Sequence, residues 1–232
     1  MGPQDPGRCD EEAGLRAEGK RVEITEPSLL LVDCKDDENF VKGLLGYLGL
    51  SRTQVVRAEG KGLFAVRLAA VRRATGFDMV ESLGIVRDAD ADPQAAFQSV
   101  CSALKYAGLA VPERPLSPAG GKPQVCVMIL PDEASRGAIE DLCLRSVESD
   151  LAMPCVESYF QCLKTCFPEA PVDSAKSRVQ VFLASRLEAG MSLGVAAQKG
   201  YWPWDSPVFD ELKDFLRQVA RQKAREGCAP SA

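Results

Sequence analysis

The clearest pattern along the chain is the run Ser28-Leu-Leu-Leu-Val-Asp33. A short unbroken apolar run suits a strand buried on both faces, as in a parallel sheet. Beyond it the spacing turns helical, with Phe40, Val41, Leu44, Leu45, Tyr47 and Leu48 on one face. Residues 54–57 read as a second strand, 63–73 as a helix and 80–86 as a third strand. A helix follows from Pro93, a residue suited to a first helical turn, with Phe97, Val100 and Leu104 on its apolar side. Residues 109–123 are rich in Pro and Gly and read as a loop, and 125–131 as the fourth strand. Helical patterns then cover 137–147, 155–166, 173–188 and 206–224. Strands alternating with helices predict an α/β, Rossmann-like fold: a four-stranded, mostly parallel sheet with flanking helices and a C-terminal helical extension. The expected division is an α/β domain over 21–150, a helical extension packed on it over 151–224, and polar tails at 1–20 and 225–232.

Composition narrows the chemistry. With 46% hydrophobic and 26% charged residues in 232, the chain can bury a sizeable core. A net charge of −5 argues against tight nonspecific binding of polyanions by a lone monomer, because that binding relies on Lys and Arg. The complete absence of histidine removes Ser-His-Asp and Cys-His catalysis and HExxH metal sites. Proton transfer must fall to carboxylates, Lys, Tyr, Cys or metal-bound water. Nine cysteines without any C-x-x-C pair read mostly as small buried hydrophobes of a reducing compartment. The spacing Cys162-x-x-x-Cys166 suits a metal, but no second pair follows it. Without a secretory leader or a long apolar run, the expectation is a cytoplasmic protein with no membrane segment.

The acidic residues cluster at strand ends. Ligands of an open parallel sheet gather at the carboxyl ends of its strands. Asp33 stands at that end of the first strand, and Asp88 and Asp90 at that end of the third. If the two strands are neighbours, the three carboxylates converge and repel one another unless a cation compensates them. Hard oxygen donors point to Mg²⁺ or Mn²⁺. Residues two apart in an extended segment face the same way, which would aim Asp88 and Asp90 together. Against this, Asp-x-Asp-x-Asp-Pro is also a polar turn in which Asp92 caps the helix that starts at Pro93. It is not an EF-hand, since Pro93 stands at position 6 and Ser99 at position 12.

The strings themselves carry a resemblance. Leu-Val-Asp33-Cys34-Lys35-Asp36-Asp37 is similar to the opening motif of Toprim domains, hydrophobics followed by E-G-K-D-D. Gly84-Ile-Val-Arg-Asp88-Ala-Asp90 resembles their second motif, hydrophobics followed by D-x-D. A small bacterial Toprim-like family related to overcoming-lysogenization-defect nucleases looks closer still. The shared features are the turn Glu59-Gly60-Lys61-Gly62, the run Asp88 to Pro93 with Gln98-Ser99, Leu130-Pro131-Asp132, Ile139-Glu140-Asp141 and Lys176. The resemblance spans roughly 28–220. It implies a Toprim-like fold and a Mg²⁺-dependent phosphodiesterase, most plainly a nuclease on DNA or RNA. A catalytically silent module that binds nucleic acid or a protein is the alternative.

By the same resemblance Asp33 acts as metal ligand or general acid–base, and Asp88 and Asp90 hold Mg²⁺. Glu140 and Asp141 supply a second metal site, and Lys176 neutralises developing phosphate charge. Lys35 and Lys61 become phosphate contacts, although Lys35 also reads as a solvated turn lysine and no Walker A loop surrounds Lys61. Partners implied are DNA or RNA, an ATPase or other protein, and a second copy. The opening motif departs from the family at both diagnostic positions: Asp33 replaces Glu and is one methylene shorter, and Cys34 replaces Gly. Asp36, Asp37 and Glu38 read as acids favoured at a helix start. Tyr201-Trp-Pro-Trp204 reads as packing rather than a base-stacking platform.

Overall fold

A computed structural model describes residues 22–58, 61–167, 169 and 173–220. The polar tails at 1–20 and 225–232, and Glu59 and Gly60 of the glycine-lysine turn, lie outside the described residues. Four strands form the sheet: β1 (Ser28–Val32), β2 (Thr53–Arg57), β3 (Ser82–Asp88) and β4 (Gln124–Leu130), in the order β2-β1-β3-β4. Every pairing is parallel, so the sheet is wholly rather than mostly parallel. The fold is α/β and Rossmann-like.

Eight α-helices accompany the strands among the described residues. Helix α1 (Lys35–Leu48) follows β1, α2 (Phe64–Arg72) follows β2, and α3 (Pro93–Tyr106) follows β3. After β4 come α4 (Ile139–Ser146), α5 (Met153–Cys166), α6 (Ala175–Ala184), α7 (Leu193–Gln198) and α8 (Asp210–Ala220). Alternation along the strands divides the core in two. Leu29, Leu31, Leu83, Ile85, Val127 and Ile129 face α2 and α3. Leu30, Val32, Val86, Met128 and Leu130 face the other side, where α1 and the helices after β4 gather. Both faces are therefore apolar, which is why the strands read as continuous hydrophobic runs instead of alternating ones.

Two features were not visible in the periodicity. Helix α1 begins at Lys35, five residues before its first fully apolar position, because its first turn is polar and acidic. The expected helix over 173–188 ends at Ala184, and a separate short helix, α7, lies along α1. Helix α8 crosses β3 at Gly84, where a Cβ would come within 2.7 Å of Val219. Only a glycine lets the helix sit that close. The aromatic cluster packs inward. Trp202 is buried, stacks on Phe182 at 5.8 Å and donates its Nε1–H to the Leu193 carbonyl at 3.2 Å. Trp204 meets Phe40 edge-on at 5.1 Å.

Candidate functional site

The strand order reverses between β1 and β3: the chain leaves β1 toward β2 and returns on the other side to β3. Such a switch point opens a crevice at the carboxyl ends of the two strands. Asp33 and Asp88 both end there. The parallel register pairs Leu31 with Ile85, and carried two residues further it sets Asp33 beside Arg87. Both side chains are buried, and Arg87 Nη1 donates to Asp33 Oδ1 at 3.1 Å. The guanidinium lies over the Phe64 ring of α2, 4.9 Å from its centroid. Its Nε–H has no acceptor among the described residues.

Asp88 belongs to the other face. Its Oδ1 accepts from the Ile139 N–H at 3.1 Å, the first turn of α4. A helix N-terminus favours an anion, yet burial dominates. Together with the charges of Asp37, Glu140 and Asp33 it pushes the Asp88 carboxyl up to about 8. Glu140, in the first turn of α4, is raised as well, chiefly by burial and further by Asp37, while Lys176 opposes the shift. The expected Glu140, Lys176 and Asp88 thus come together, on α4, α6 and β3. Lys176 is solvent-exposed in the first turn of α6.

The other expected residues are placed differently. Asp33, foreseen as metal ligand or proton carrier, has its Oδ1 against Arg87, and its charge also bears on Asp88. The extended run ends at Asp88, so the alternation that was to aim Asp90 alongside it does not continue. Asp90 is exposed at φ 52° and anchored by its backbone to Gly137, with N–H to carbonyl distances of 2.7 and 2.8 Å. Asp92 caps α3, accepting from the Ala95 N–H at 3.0 Å. Asp141 Oδ2 accepts from the Ala138 N–H at 2.8 Å at the start of α4. A Cβ on Gly137, whose φ is 133°, would stand 2.5 Å from that same oxygen. Lys35 is exposed at the first position of α1, at the same edge as the cluster. Lys61 opens the single-turn 3₁₀ segment Lys61–Leu63, and its side chain lies outside the described residues.

Sequence reasoning missed two participants. The helix-start reading favoured for Asp37 accounts for part of its role. The residue does cap α1, accepting the Cys34 N–H at 2.9 Å, but it is also buried and acts on both Asp88 and Glu140. Its neighbours are structural: Asp36 accepts from Ser192 and Glu38 pairs with Arg57 and Lys42. Arg87 was the other omission. An arginine inside an apolar strand must find a charge partner, and that signal was present in the sequence. Where the resembled motif has glycine, this chain has Cys34, at φ −133° and ψ −179°. That is extended backbone, so a side chain is accommodated there without strain.

Among the described residues, no three His, Cys, Asp or Glu side chains form a complete metal-ligand set. The hard donors offered at the crevice are Asp88 and Glu140, with Asp37 beside them. A cavity of about 470 Å³, lined by Glu81, Ser82, Pro118, Lys122, Gln124 and Gln218, opens at the opposite, N-terminal end of β3 and β4. No helix among the described residues is long and apolar enough to cross a membrane.

Fold and site together define a Rossmann-like α/β protein with a partly buried acidic cluster at its switch point. Residues 27–221 match the model of the family described as Protein of unknown function (DUF3226), and the chain belongs to that family. No curated protein matches it, and no solved structure does.

Proposed function

We propose that the chain is a Mg²⁺- or Mn²⁺-dependent phosphodiesterase of Toprim type, a nuclease acting on DNA or RNA. The observation that carries this reading is the gathering of Asp37, Asp88 and Glu140 at the sheet's switch point, where burial makes their joint ionisation costly. A divalent cation relieves that cost. Mg²⁺ characteristically takes one or two carboxylates, keeps several waters and completes its shell with substrate phosphate. Asp88 and Glu140 match that demand in type and number. When bound, such an ion polarises a phosphoryl oxygen and acidifies water.

The chain's own residues divide the remaining work. Asp88 releases its proton as positive charge enters the crevice. Lys176, exposed beside Glu140, offsets charge that builds on phosphate. Lys35, at the same edge, is placed for a backbone phosphate of the substrate. Asp33 acts through Arg87, holding the end of β3 so that Asp88 faces α4. A second reading is favoured by this same pair: with Asp33 neutralised by Arg87, the chain binds nucleic acid with a cation but does not cleave it.

Incubation with single- and double-stranded DNA and RNA, in Mg²⁺ or Mn²⁺, separates the two. Cation-dependent cleavage that disappears in Asp88→Asn is the expected result. Cation-dependent binding without products selects the second reading. Absence of both cleavage and any Asp88-dependent cation binding in calorimetry overturns the two together.

A further inference from the structure

Helix α5 carries three exposed thiols, Cys155, Cys162 and Cys166. Steps of seven and four residues return to nearly the same angle on a helix, so the three form one line. The helix is held to the core through Val156 and Phe160, which point elsewhere. Cys162 and Cys166 stand with their Sγ atoms 3.9 Å apart. Cys155 lies two turns earlier, roughly 10 Å along the axis from Cys162, beyond reach of a shared ligand.

Two chemistries use thiols this close. A disulfide requires Cβ atoms about 3.5–4.5 Å apart, whereas helical neighbours four residues apart hold them at about 5–6 Å. An intact α5 therefore forbids the bond. A thiophilic cation asks for a different spacing. Two sulfurs, each ~2.3 Å from a tetrahedral zinc ion, lie about 3.8 Å apart. Cys162 and Cys166 already meet that span, with no movement of the helix.

We propose that Cys162 and Cys166 form a two-thiolate binding site for Zn²⁺ on the outer face of α5. No third His, Cys, Asp or Glu side chain joins them among the described residues. Two of the four tetrahedral positions are thus left to water, the character of an exchange site and not of a closed structural one. The site is chemically distinct from the carboxylate crevice: thiolates select borderline and soft ions, and carboxylates select Mg²⁺ and Mn²⁺.

Cobalt(II) is the probe, because thiolate ligation gives it a sulfur-to-metal charge-transfer absorption that carboxylates do not. The full-length, reduced, metal-free protein is titrated with Co²⁺ and then with Zn²⁺. Wild type, the control Cys155→Ser and the crevice variant Asp88→Asn are each expected to develop the band at one equivalent and lose it to Zn²⁺. Cys162→Ser and Cys166→Ser are expected to lose the band, with far-ultraviolet circular dichroism showing α5 and the fold intact. A band that persists in Cys162→Ser assigns the metal to other cysteines and overturns the proposal. So does a wild-type protein that shows no band.

Discussion

Asp33 and Asp88 end neighbouring strands of one sheet and meet opposite fates. Asp33 turns toward the α2 side, is buried and has Arg87 against it at 3.1 Å. Asp88 turns toward α1 and α4, receives one backbone N–H and otherwise faces other acids, so its carboxyl is pushed up to about 8. Position at a strand end brought both residues to the crevice. Strand parity then decided which was neutralised inside the protein and which was left needing an external cation. A charge already compensated by a buried guanidinium is scaffolding; one compensated only by its proton is available for chemistry.

The largest effect should come from breaking the neutralised side. Arg87→Met removes the guanidinium and leaves Asp33 buried without it, a loss of about 3–5 kcal/mol in denaturant unfolding. The double variant Asp33→Asn, Arg87→Met removes both charges and should recover most of that loss. If the double variant is as unstable as the single one, the ion pair is not what Arg87 supplies, and its stacking on Phe64 is.

Asp88→Asn tests the other side and should have the opposite sign. A carboxyl whose folded pKa lies near 8, against 3.8 ordinarily, binds a proton in the folded state that the unfolded chain has lost. Its contribution is present at low pH and disappears as pH rises through 8. Between those limits this one group lowers stability by about 1.4 kcal/mol per pH unit at most. The variant should flatten that slope and, at pH above 8 without divalent cation, be more stable than wild type by roughly 1–3 kcal/mol. Mg²⁺ should stabilise wild type more at pH 8.5 than at pH 6, and leave the variant unmoved. A wild-type slope equal to the variant's would mean that Asp88 titrates normally.

How much of this was legible follows the same division. The strands were readable because unbroken runs such as Leu29 to Val32 have no other comfortable home than a doubly covered sheet. Asp88, Glu140 and Lys176 were carried by the likeness of separated motifs, and the fold gathers them. What escaped were facts of direction. The sequence shows that Asp88 and Asp90 are two apart, but not that the chain turns to φ 52° at Asp90 and ends the alternation. Asp37 looked like any helix-start acid, because its second role arises only when the fold brings its charge to bear on Asp88 and Glu140. Arg87 was the one miss with a usable signal, a charge set in an apolar strand.

Asp92 sharpens the contrast within its own motif. Among Asp88, Asp90 and Asp92 it is the acid that caps α3, holding the Ala95 N–H. Asp92→Ala should cost about 1 kcal/mol of stability and leave the affinity for Mg²⁺ unchanged. A loss of cation binding comparable to that of Asp88→Asn would place Asp92 in the crevice after all.

The smallest effect is expected at Cys34, the position where this chain parts from the glycine of the motif it resembles. A glycine would be indispensable there only if the backbone were left-handed or something approached where a Cβ stands. Neither holds: Cys34 is extended, and what links it to the crevice is its N–H, donated to Asp37 Oδ2. A backbone bond survives any side-chain change. Cys34→Gly should therefore shift stability by only a few tenths of a kcal/mol, as a glycine at a helix N-cap does, and should leave Asp37 oriented and the pH dependence set by Asp88 intact. If instead Cys34→Gly raises cation affinity or switches on cleavage, the thiol is an obstruction in the crevice. The departure at Cys34, more than the pairing of Asp33 with Arg87, would then be what restrains the site.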